Sequence, residues 1–484
     1  MPAAAPRFET LVDLGRRLRS RELGPVALAE LFLERIASLD PKLGAFRLVL
    51  RERALAQARA AEAQLEAGLD LGPLHGIPYV AKDLFDVKGY PTTAGTHLLA
   101  DNVAREDSAA VRRLERAGMV LLGKTNTVQL AYGGVGINTD HGTPHNPWHA
   151  TAHVPGGSSS GTAVAVASGL APIGLGTDTG GSVRIPAALC GVVGLKTTVG
   201  RVSRAGVYPL SHSLDSVGVL SRSVEDAALA YRELAGPDDA DETTSGVPPE
   251  DGDALGELRL GVKGLRLAFA ETAFFDGVDP EIARAVREAG RVLRDLGADV
   301  GSIAFPEAAE ALKLNPRGLV IAAEAYAVNR SFLEGHYDEM DPVVRERMRK
   351  GKDVTGPDYF ETTRRWSALR REASRTLALA QVDALLVPTT MIPPLPTAPL
   401  AADLGAYTQR NVEYLRNTSI GNILDLCGLS LPCGFTGQGF PVGLMVYGRP
   451  FTERTILRVG HAYEQATSWH ERVPDLTWAT ARAT

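Results

Sequence analysis

The chain has 484 residues, of which 44% are hydrophobic and 22% are charged, and its formal net charge is −6. This composition is typical of a water-soluble globular protein that is long enough for one large core or for two to three domains. Without a basic excess, a nucleic-acid-binding protein is disfavoured. The three cysteines, Cys190, Cys427 and Cys433, form no metal-ligand pattern. Their small, odd number favours a reducing compartment over a disulfide framework.

The first residues do not combine a charged region with a following apolar one, so we expect no secretion signal. Glycine and proline interrupt the most apolar stretches well before the roughly 18 residues that a membrane span needs. We therefore expect a cytoplasmic protein without membrane association.

Helical patterns fill residues 1–70. Apolar residues recur at helical spacing over 27–36, and an Ala/Glu/Arg-rich stretch follows over 51–68. From Gly76 onward, short apolar strands alternate with amphipathic helices, which indicates an α/β catalytic core over 71–235 with a largely parallel sheet. The first elements expected in this core are a strand over 77–81, a helix over 108–117 and a buried strand over 119–122.

The acidic, Gly/Pro-containing residues 236–258 predict an exposed linker. The remainder, 259–484, is expected to complete the sheet, with mostly charged helices over 318–380 forming a helical excursion near the pocket. Its clearest other elements are strands over 265–269 and 383–388 and a helix over 281–296. We predict that residues 1–484 form a single domain.

Residues 118–125, Gly-Met-Val-Leu-Leu-Gly-Lys-Thr, match the phosphate-loop pattern GxxxxGK[ST]. A phosphate loop must expose its backbone N–H groups, whereas the four apolar residues between these glycines favour a buried strand. We expect a strand that ends in a turn at Gly123-Lys124, with nucleotide binding as a minor alternative.

Histidine recurs every fourth residue at His141, His145, His149 and His153. On a helix, this spacing would align four metal ligands on one face. Glycines and prolines between the histidines forbid a continuous helix, so a loop with locally hydrogen-bonded histidines is expected instead of a metal site. One of these histidines could still contact a substrate.

Two Gly-Gly-Ser turns end at Ser158 and Ser182, 24 residues apart, with small apolar residues between them. Such turns expose their serines, and the apolar segments predict a packed scaffold that holds them against each other. Nucleophilic catalysis requires that arrangement.

Residues 157–161, Gly-Ser-Ser-Ser-Gly, also match the GxSxG nucleophile elbow, with Ser159 as the nucleophile. This alternative, an α/β-hydrolase-type esterase, needs a late histidine as its base. His461 and His470 are available, but neither lies in a motif typical of that role, and His461 is expected on the surface of a helix.

Lys82 directly follows the apolar residues 77–81, where partial desolvation would lower the pKa of its amine. A fall from about 10.4 to near 7–8 costs the charged form about 3–5 kcal/mol. The resulting neutral amine could take a proton from a serine hydroxyl. For an isolated lysine, a strand-ending residue that extends its amine into water is far commoner.

Lys82 and the two glycine turns closely resemble the amidase signature family, and the resemblance is continuous from about Gly72 to Val202. It is carried by Gly123–Asn126, Asn146-Pro147, Pro155–Gly161, Gly176–Ala187 and Gly191–Lys196, with a weaker match at Gly428–Pro432 and Gly439–Leu444. It implies an amidase-signature fold of the α/β class, in which α-helices flank both faces of a large, mixed, twisted β-sheet.

The resemblance also implies catalytic roles. Ser182 matches the acyl-accepting nucleophile, Ser158 matches a bridging serine that follows a cis peptide bond to Gly157, and Lys82 matches the general base. The backbone N–H groups expected around the developing oxyanion are those of Thr179, Gly180, Gly181 and Ser182.

Further residues near this site have weaker predicted roles. Tyr132, Gly133 and Gly134 are candidates for the pocket wall. Thr177 and Asp178 either hold the turn over 179–182 in the conformation that binds the oxyanion or only cap that turn. Arg184 is expected to anchor this loop through hydrogen bonds, with substrate-carboxylate binding as a minor alternative.

The implied activity is hydrolysis of a carboxylic amide, or of a related carbamate or urea-type C–N bond, without metal or organic cofactor. The alternative is the A subunit of an aminoacyl-tRNA amidotransferase, which uses the same triad in a complex that passes ammonia to charged tRNA. Residues 435–438 differ from those expected of that subunit, which favours the stand-alone hydrolase. The expected partner is a small amide, with nucleic acid only for the amidotransferase, and a homodimer is left open.

Overall fold

The computed structural model describes residues 8–250, 253–315 and 318–480. These residues build an 11-stranded sheet in the order β1-β3-β2-β4-β6-β5-β10-β11-β9-β7-β8. In chain order the strands are β1 (Phe46–Val49), β2 (Pro78–Lys82), β3 (Val120–Thr125), β4 (Ile173–Asp178), β5 (Val193–Lys196), β6 (Ser216–Ser221), β7 (Arg266–Ala270), β8 (Asp299–Ile303), β9 (Ala384–Pro388), β10 (Cys427–Phe435) and β11 (Pro441–Gly448).

Helices connect and cover these strands. In chain order they are α1 (Leu11–Arg19), α2 (Pro25–Leu43), α3 (Arg51–Glu66), α4 (Ala109–Arg116), α5 (Ser160–Ala167), α6 (Arg184–Cys190), α7 (Val224–Leu234), α8 (Ala254–Leu258), α9 (Pro280–Asp295), α10 (Pro306–Lys313), α11 (Leu319–Gly335), α12 (Pro342–Arg349), α13 (Gly356–Leu379), α14 (Thr397–Ala402), α15 (Leu404–Ile423) and α16 (Glu453–Gln465). None of the helices in these described ranges is both long enough and apolar enough to cross a membrane.

Both faces of the sheet are covered by helices, as strand β9 shows. Ala384 and Leu386 belong to one apolar cluster, which includes residues of α7, α9 and α16. Leu385 and Val387 belong to another, which includes residues of α10, α13 and α15. Since successive strand residues point to opposite faces, helices pack on both sides, and the predicted fold class is confirmed.

The prediction of a largely parallel sheet in the core is wrong. Strand β2 runs parallel to β3 and to β4, but β6 runs antiparallel to both β4 and β5. A parallel neighbour needs a long crossover, usually a helix, whereas an antiparallel neighbour does not. Residues 197–215, which lead from β5 to β6, form turns and bends without an α-helix and bring the chain back in the opposite direction.

Two other segments differ from their sequence-based description. Of residues 1–70, expected to be helical, residues 1–7 lie outside the described part of the chain, and 8–70 also contain the edge strand β1, which pairs with β3. The predicted exposed linker, 236–258, is partly buried over the range 236–250, while residues 251 and 252 lie outside the described part of the chain. In this linker Asp241 is buried, and its carboxylate accepts the backbone N–H of Arg204 at 2.7 Å.

Candidate active site

The candidate base lies where two parallel strands end at the same edge of the sheet. Lys82 is the last residue of β2, and β4 ends with Thr177 and Asp178. Because β2 and β4 are parallel neighbours, their carboxyl ends meet, and the Lys82 amine reaches across to β4. Lys82 Nζ donates to Thr177 Oγ1 at 2.7 Å and to Ser158 Oγ at 2.8 Å.

The Lys82 amine is withdrawn from water. The side chain is fully buried, and this burial lowers the pKa of Lys82 from 10.5 to about 7, against the opposing charges of Asp215 and Asp178. A substantial fraction of the amine is therefore neutral near pH 7. A neutral amine within hydrogen-bond distance of Ser158 meets the geometric and protonation requirements of a general base.

The two glycine turns lie side by side. Ser158 precedes α5 and Ser182 precedes α6, and the N–H of Ser159 donates to the C=O of Ser182 at 3.1 Å. The Gly157–Ser158 peptide bond is cis. Ser158 is fully buried, whereas Ser182 is 4% exposed and lines a cavity of about 350 Å³. Of the three candidate triad residues, Ser182 is thus the one that faces open space.

Asp178 organises the turn that leads to Ser182. Its carboxylate accepts the N–H of Gly181 at 2.9 Å and that of Val183 at 3.0 Å. The Gly181 N–H is therefore not available to an oxyanion. The N–H groups of Thr179, Gly180 and Ser182 have no acceptor among the described residues, which leaves these three as candidate oxyanion donors.

Arg184 anchors this turn and is fully buried. Its Nε and Nη2 donate to the two oxygens of Asp178 at 2.9 and 2.7 Å, and Nη1 donates to Tyr447 Oη at 2.6 Å. Burial alone would raise the pKa of Asp178, but the Arg184 charge and hydrogen bonds hold it below its usual value. Asn422 Oδ1 also accepts from Nη2, and the C=O of Thr418 accepts from Nη1 at 3.2 Å. All five N–H donors of the guanidinium therefore have protein acceptors, which excludes a substrate carboxylate from it.

The cavity at Ser182 is closed by residues from distant parts of the chain. Tyr132 and Gly133 line it, whereas Gly134 is not among its described lining residues and donates its N–H to Asn411 Oδ1 at 2.6 Å. The opposite walls come from α12, α15 and the turn after α12. The side chains there that could bind a substrate are Arg347, Lys350, Thr408, Asn411, Arg416 and Ser419.

Sequence reasoning missed those wall residues, and it also missed Asp215. Thr179 Oγ1 donates to Asp215 Oδ1 at 2.5 Å, and the N–H groups of Leu210 and Ser211 donate to the other carboxylate oxygen. Thr179 also lines a second cavity, of about 670 Å³, on the side of Asp215. No local motif marks these residues, although α12 falls within the helical excursion expected over 318–380.

Two alternative sites lack the geometry that they need. Lys124 is buried at the end of β3, where its Nζ lies 2.7 Å from Asp83 Oδ1 in an ion pair, so this lysine is not free to bind phosphate. Ser159 is fully buried and its hydroxyl donates to the C=O of Thr177 at 3.3 Å. His461, expected on the surface, is buried and its Nδ1 lies 3.1 Å from the C=O of Leu258.

The four regularly spaced histidines lie in a loop. His145 Nε2 lies 2.9 Å from the C=O of His149, and the His145 ring stacks 4.3 Å from that of Trp478. The ring of His153 packs 4.8 Å from that of Phe440. Among the residues that the structure describes, no group of histidine, cysteine or acidic side chains is arranged to hold a metal ion.

Comparison with known proteins places this geometry in a known group. The family model described as Amidase matches residues 27–457. The A subunit of glutamyl-tRNA(Gln) amidotransferase from Roseiflexus sp. (strain RS-1) is 40% identical over 96% of this chain and 98% of its own. The 2-amino-5-chloromuconic acid deaminase of Comamonas testosteroni is 39% identical over 94% and 95%. The native peptide amidase structure from Stenotrophomonas maltophilia superposes with a TM-score of 0.81, at 31% identity over 94% and 96%.

Proposed function

Because the chain belongs to the amidase family and is an enzyme acting on carbon–nitrogen bonds, we propose that it hydrolyses a carboxylic amide, or a related carbamate or urea-type bond, through an acyl-enzyme on Ser182. The observation that carries this proposal is the buried Lys82 amine, 2.8 Å from Ser158 Oγ and with its pKa lowered to about 7. Lys82 is the proposed base, Ser158 the relay and Ser182 the nucleophile.

In the first half-reaction, neutral Lys82 takes the proton of Ser158, which takes that of Ser182 as its oxygen attacks the amide carbonyl. The carbonyl electron pair moves onto oxygen, where the N–H groups of Thr179, Gly180 and Ser182 stabilise the charge. Collapse of this intermediate breaks the C–N bond. The proton held on Lys82 returns through Ser158 to the leaving amine.

In the second half-reaction, water attacks the Ser182 ester. It gives one proton through Ser158 to Lys82, the acid product leaves, and that proton restores the Ser182 hydroxyl. Each turnover consumes one amide and one water and produces one acid and one amine. The chemistry requires no redox step and no further reactant.

A panel of simple amides, including an anilide, tests the proposal with the purified chain. Wild type should release amine from at least one amide, Ser182→Ala should lose that activity, and Ser159→Ala should retain most of it. Near-wild-type turnover in Ser182→Ala together with its loss in Ser159→Ala would replace this proposal with the GxSxG alternative.

The second candidate function is that of an aminoacyl-tRNA amidotransferase A subunit, favoured by the 40% identity to the Roseiflexus protein over 96% of this chain. An A subunit works in a complex, whereas the proposed hydrolase acts without other proteins. Size-exclusion chromatography with light scattering separates a monomer from the homodimer that the sequence leaves open. Anilide hydrolysis by that purified chain supports the stand-alone hydrolase, and activity only after partner proteins are added supports the subunit.

A further inference from the structure

Positive charge is concentrated in the cavity at Ser182. Arg347, Lys350 and Arg416 line it, and no aspartate or glutamate is found among its described lining residues. The chain as a whole carries a formal net charge of −6. This local excess of three positive charges is therefore opposite in sign to the net charge of the protein, and it lines the same cavity as the proposed nucleophile.

Protein carboxylates do not neutralise these cations at close range. Within the described ranges, no carboxylate oxygen lies within the 4.0 Å of an ion pair from Arg347, Lys350 or Arg416. Arg416 donates instead to neutral oxygens, among them the C=O of Phe274 and of Asp276. Burial lowers the pKa of Arg416, and the more distant Asp276 carboxylate opposes that shift.

Arg347 has the geometry of an anion anchor. Its Nη1 donates to the C=O of Tyr132 at 2.6 Å, and its guanidinium carbon lies 3.9 Å from the centre of the Tyr132 ring. A stacked guanidinium is held in one orientation and keeps most of its five N–H donors available for bidentate binding of a carboxylate. Lys350, exposed in the turn after α12, adds a second charge.

We propose that the cavity selects amides that carry a carboxylate and no ammonium group, with Arg347 and Lys350 as the anion-binding residues. This inference rests on the proposed amide hydrolysis at Ser182. A carboxylate would pair with the two cations, whereas an ammonium group would enter a positive cavity without any described acidic partner. The cavity should therefore reject a zwitterionic amide such as free glutamine, which disfavours the amidotransferase alternative.

Three matched compounds test the charge preference. Glutaramate carries one carboxylate, glutaramide replaces it with a neutral amide of the same shape, and L-glutamine adds an α-ammonium group to glutaramate. Binding of each compound to Ser182→Ala is measured by calorimetry. Succinamate and adipamate, each with its neutral diamide, are measured in the same way to vary the chain length between the amide and the charge. N-acetylglycine and N-acetylglycinamide place the charge on the amine side instead.

At least one anionic amide should bind about 10- to 100-fold more tightly than its neutral partner, the size expected for hydrogen bonds to a charged group. L-Glutamine should bind at least about 10-fold more weakly than glutaramate. Equal binding within every anionic–neutral pair would overturn the proposal. L-Glutamine binding as tightly as glutaramate would overturn the rejection of ammonium.

Variants assign the preference to residues. Arg347→Met keeps an unbranched side chain over Tyr132 but removes its charge. Lys350→Ala removes the exposed charge, and it keeps the proposal testable if Arg347→Met does not fold. Each should reduce the preference for the anionic compound. Arg349→Met is the matched control, because Arg349 is exposed on the same helix and pairs with Glu346 at 3.0 Å. An undiminished preference in the Arg347→Met/Lys350→Ala double variant would overturn the assignment.

The two proposals fail in distinguishable ways. Hydrolysis of charged and neutral amides at equal efficiency by wild type would support the Ser182 chemistry and overturn the anion selectivity. A charge preference in binding, without hydrolysis of any amide by wild type, would overturn the Ser182 chemistry and support an anion-binding cavity.

Discussion

Replacing Lys82 by methionine should make the protein more stable while removing its activity. Lys82 is fully buried, and its pKa is lowered from 10.5 to about 7. At 1.36 kcal/mol per unit, the charged amine is therefore about 5 kcal/mol less favourable in the folded than in the unfolded chain. Below pH 7 both states hold the proton, and this whole cost opposes folding.

Between pH 7 and 10.5 only the unfolded chain keeps the proton, so wild-type stability rises with pH, by up to about 1.4 kcal/mol per pH unit. Methionine does not titrate and avoids this cost, but it leaves the hydroxyls of Ser158 and Thr177 without the amine, at about 1–3 kcal/mol. We expect Lys82→Met to be more stable by about 2 kcal/mol at pH 7, and this advantage to shrink by about 2 kcal/mol at pH 9.

Urea unfolding of both proteins at pH 7 and pH 9 measures this difference. Turnover of the best amide substrate should fall about 10²- to 10⁴-fold in Lys82→Met, the value of a general base. If the stability difference did not change with pH, the native lysine would be ionised throughout this range. A neutral-amine mechanism would then be refuted, as it would by a loss of activity of only a few-fold.

Three further predictions concern the same site. Wild-type kcat/KM should rise with pH through about 7 to a plateau as Lys82 loses its proton, and a profile flat from pH 5 to 9 would contradict the assigned base. Gly181→Ala should lower kcat by about 100-fold, because Gly181 has φ +135° and an added Cβ would collide with Thr418. Unchanged kinetics would show that the turn adapts. Arg184→Met should lower the free energy of unfolding by about 3–5 kcal/mol, since Asp178 would stay buried without its partner; an unchanged thermal midpoint would contradict this.

Strong local patterns predicted most elements of the fold. The amphipathic repeat over 281–296 corresponds to α9, which begins one residue earlier at Pro280 and ends at Asp295. The short strand β1, Phe46–Val49, lies at the sheet edge with no fully buried residue, so its residues carry little periodic signal. Its pairing with β3 joins segments about 75 residues apart, which single-sequence periodicity does not report.

The candidate site also has a part that local sequence patterns predict and a part that they do not. Lys82, Ser158 and Ser182 lie within about 100 residues, in turns whose glycines are themselves a signal, and the structure brings the Lys82 amine to the Ser158 hydroxyl. No comparable local sequence pattern marks the residues of the cavity walls. Arg347 reaches the C=O of Tyr132 across 215 residues of chain, and a charged side chain on a helix normally indicates a solvated face.

According to the two proposals, the chemistry and the selectivity come from different parts of this chain. The proposed bond-breaking groups lie on β2, at the end of β4 and in the turns before α5 and α6, whereas the positive charges that line the cavity come from α12, α15 and the turn after α12. Relatives with different names, a deaminase and an amidotransferase A subunit, match nearly the whole chain at 39% and 40% identity. Overall identity weighs all parts equally, so it does not discriminate between them. The proposed anion binding would discriminate between them, because Arg347→Met should alter substrate preference while Lys82, Ser158 and Ser182 stay in place.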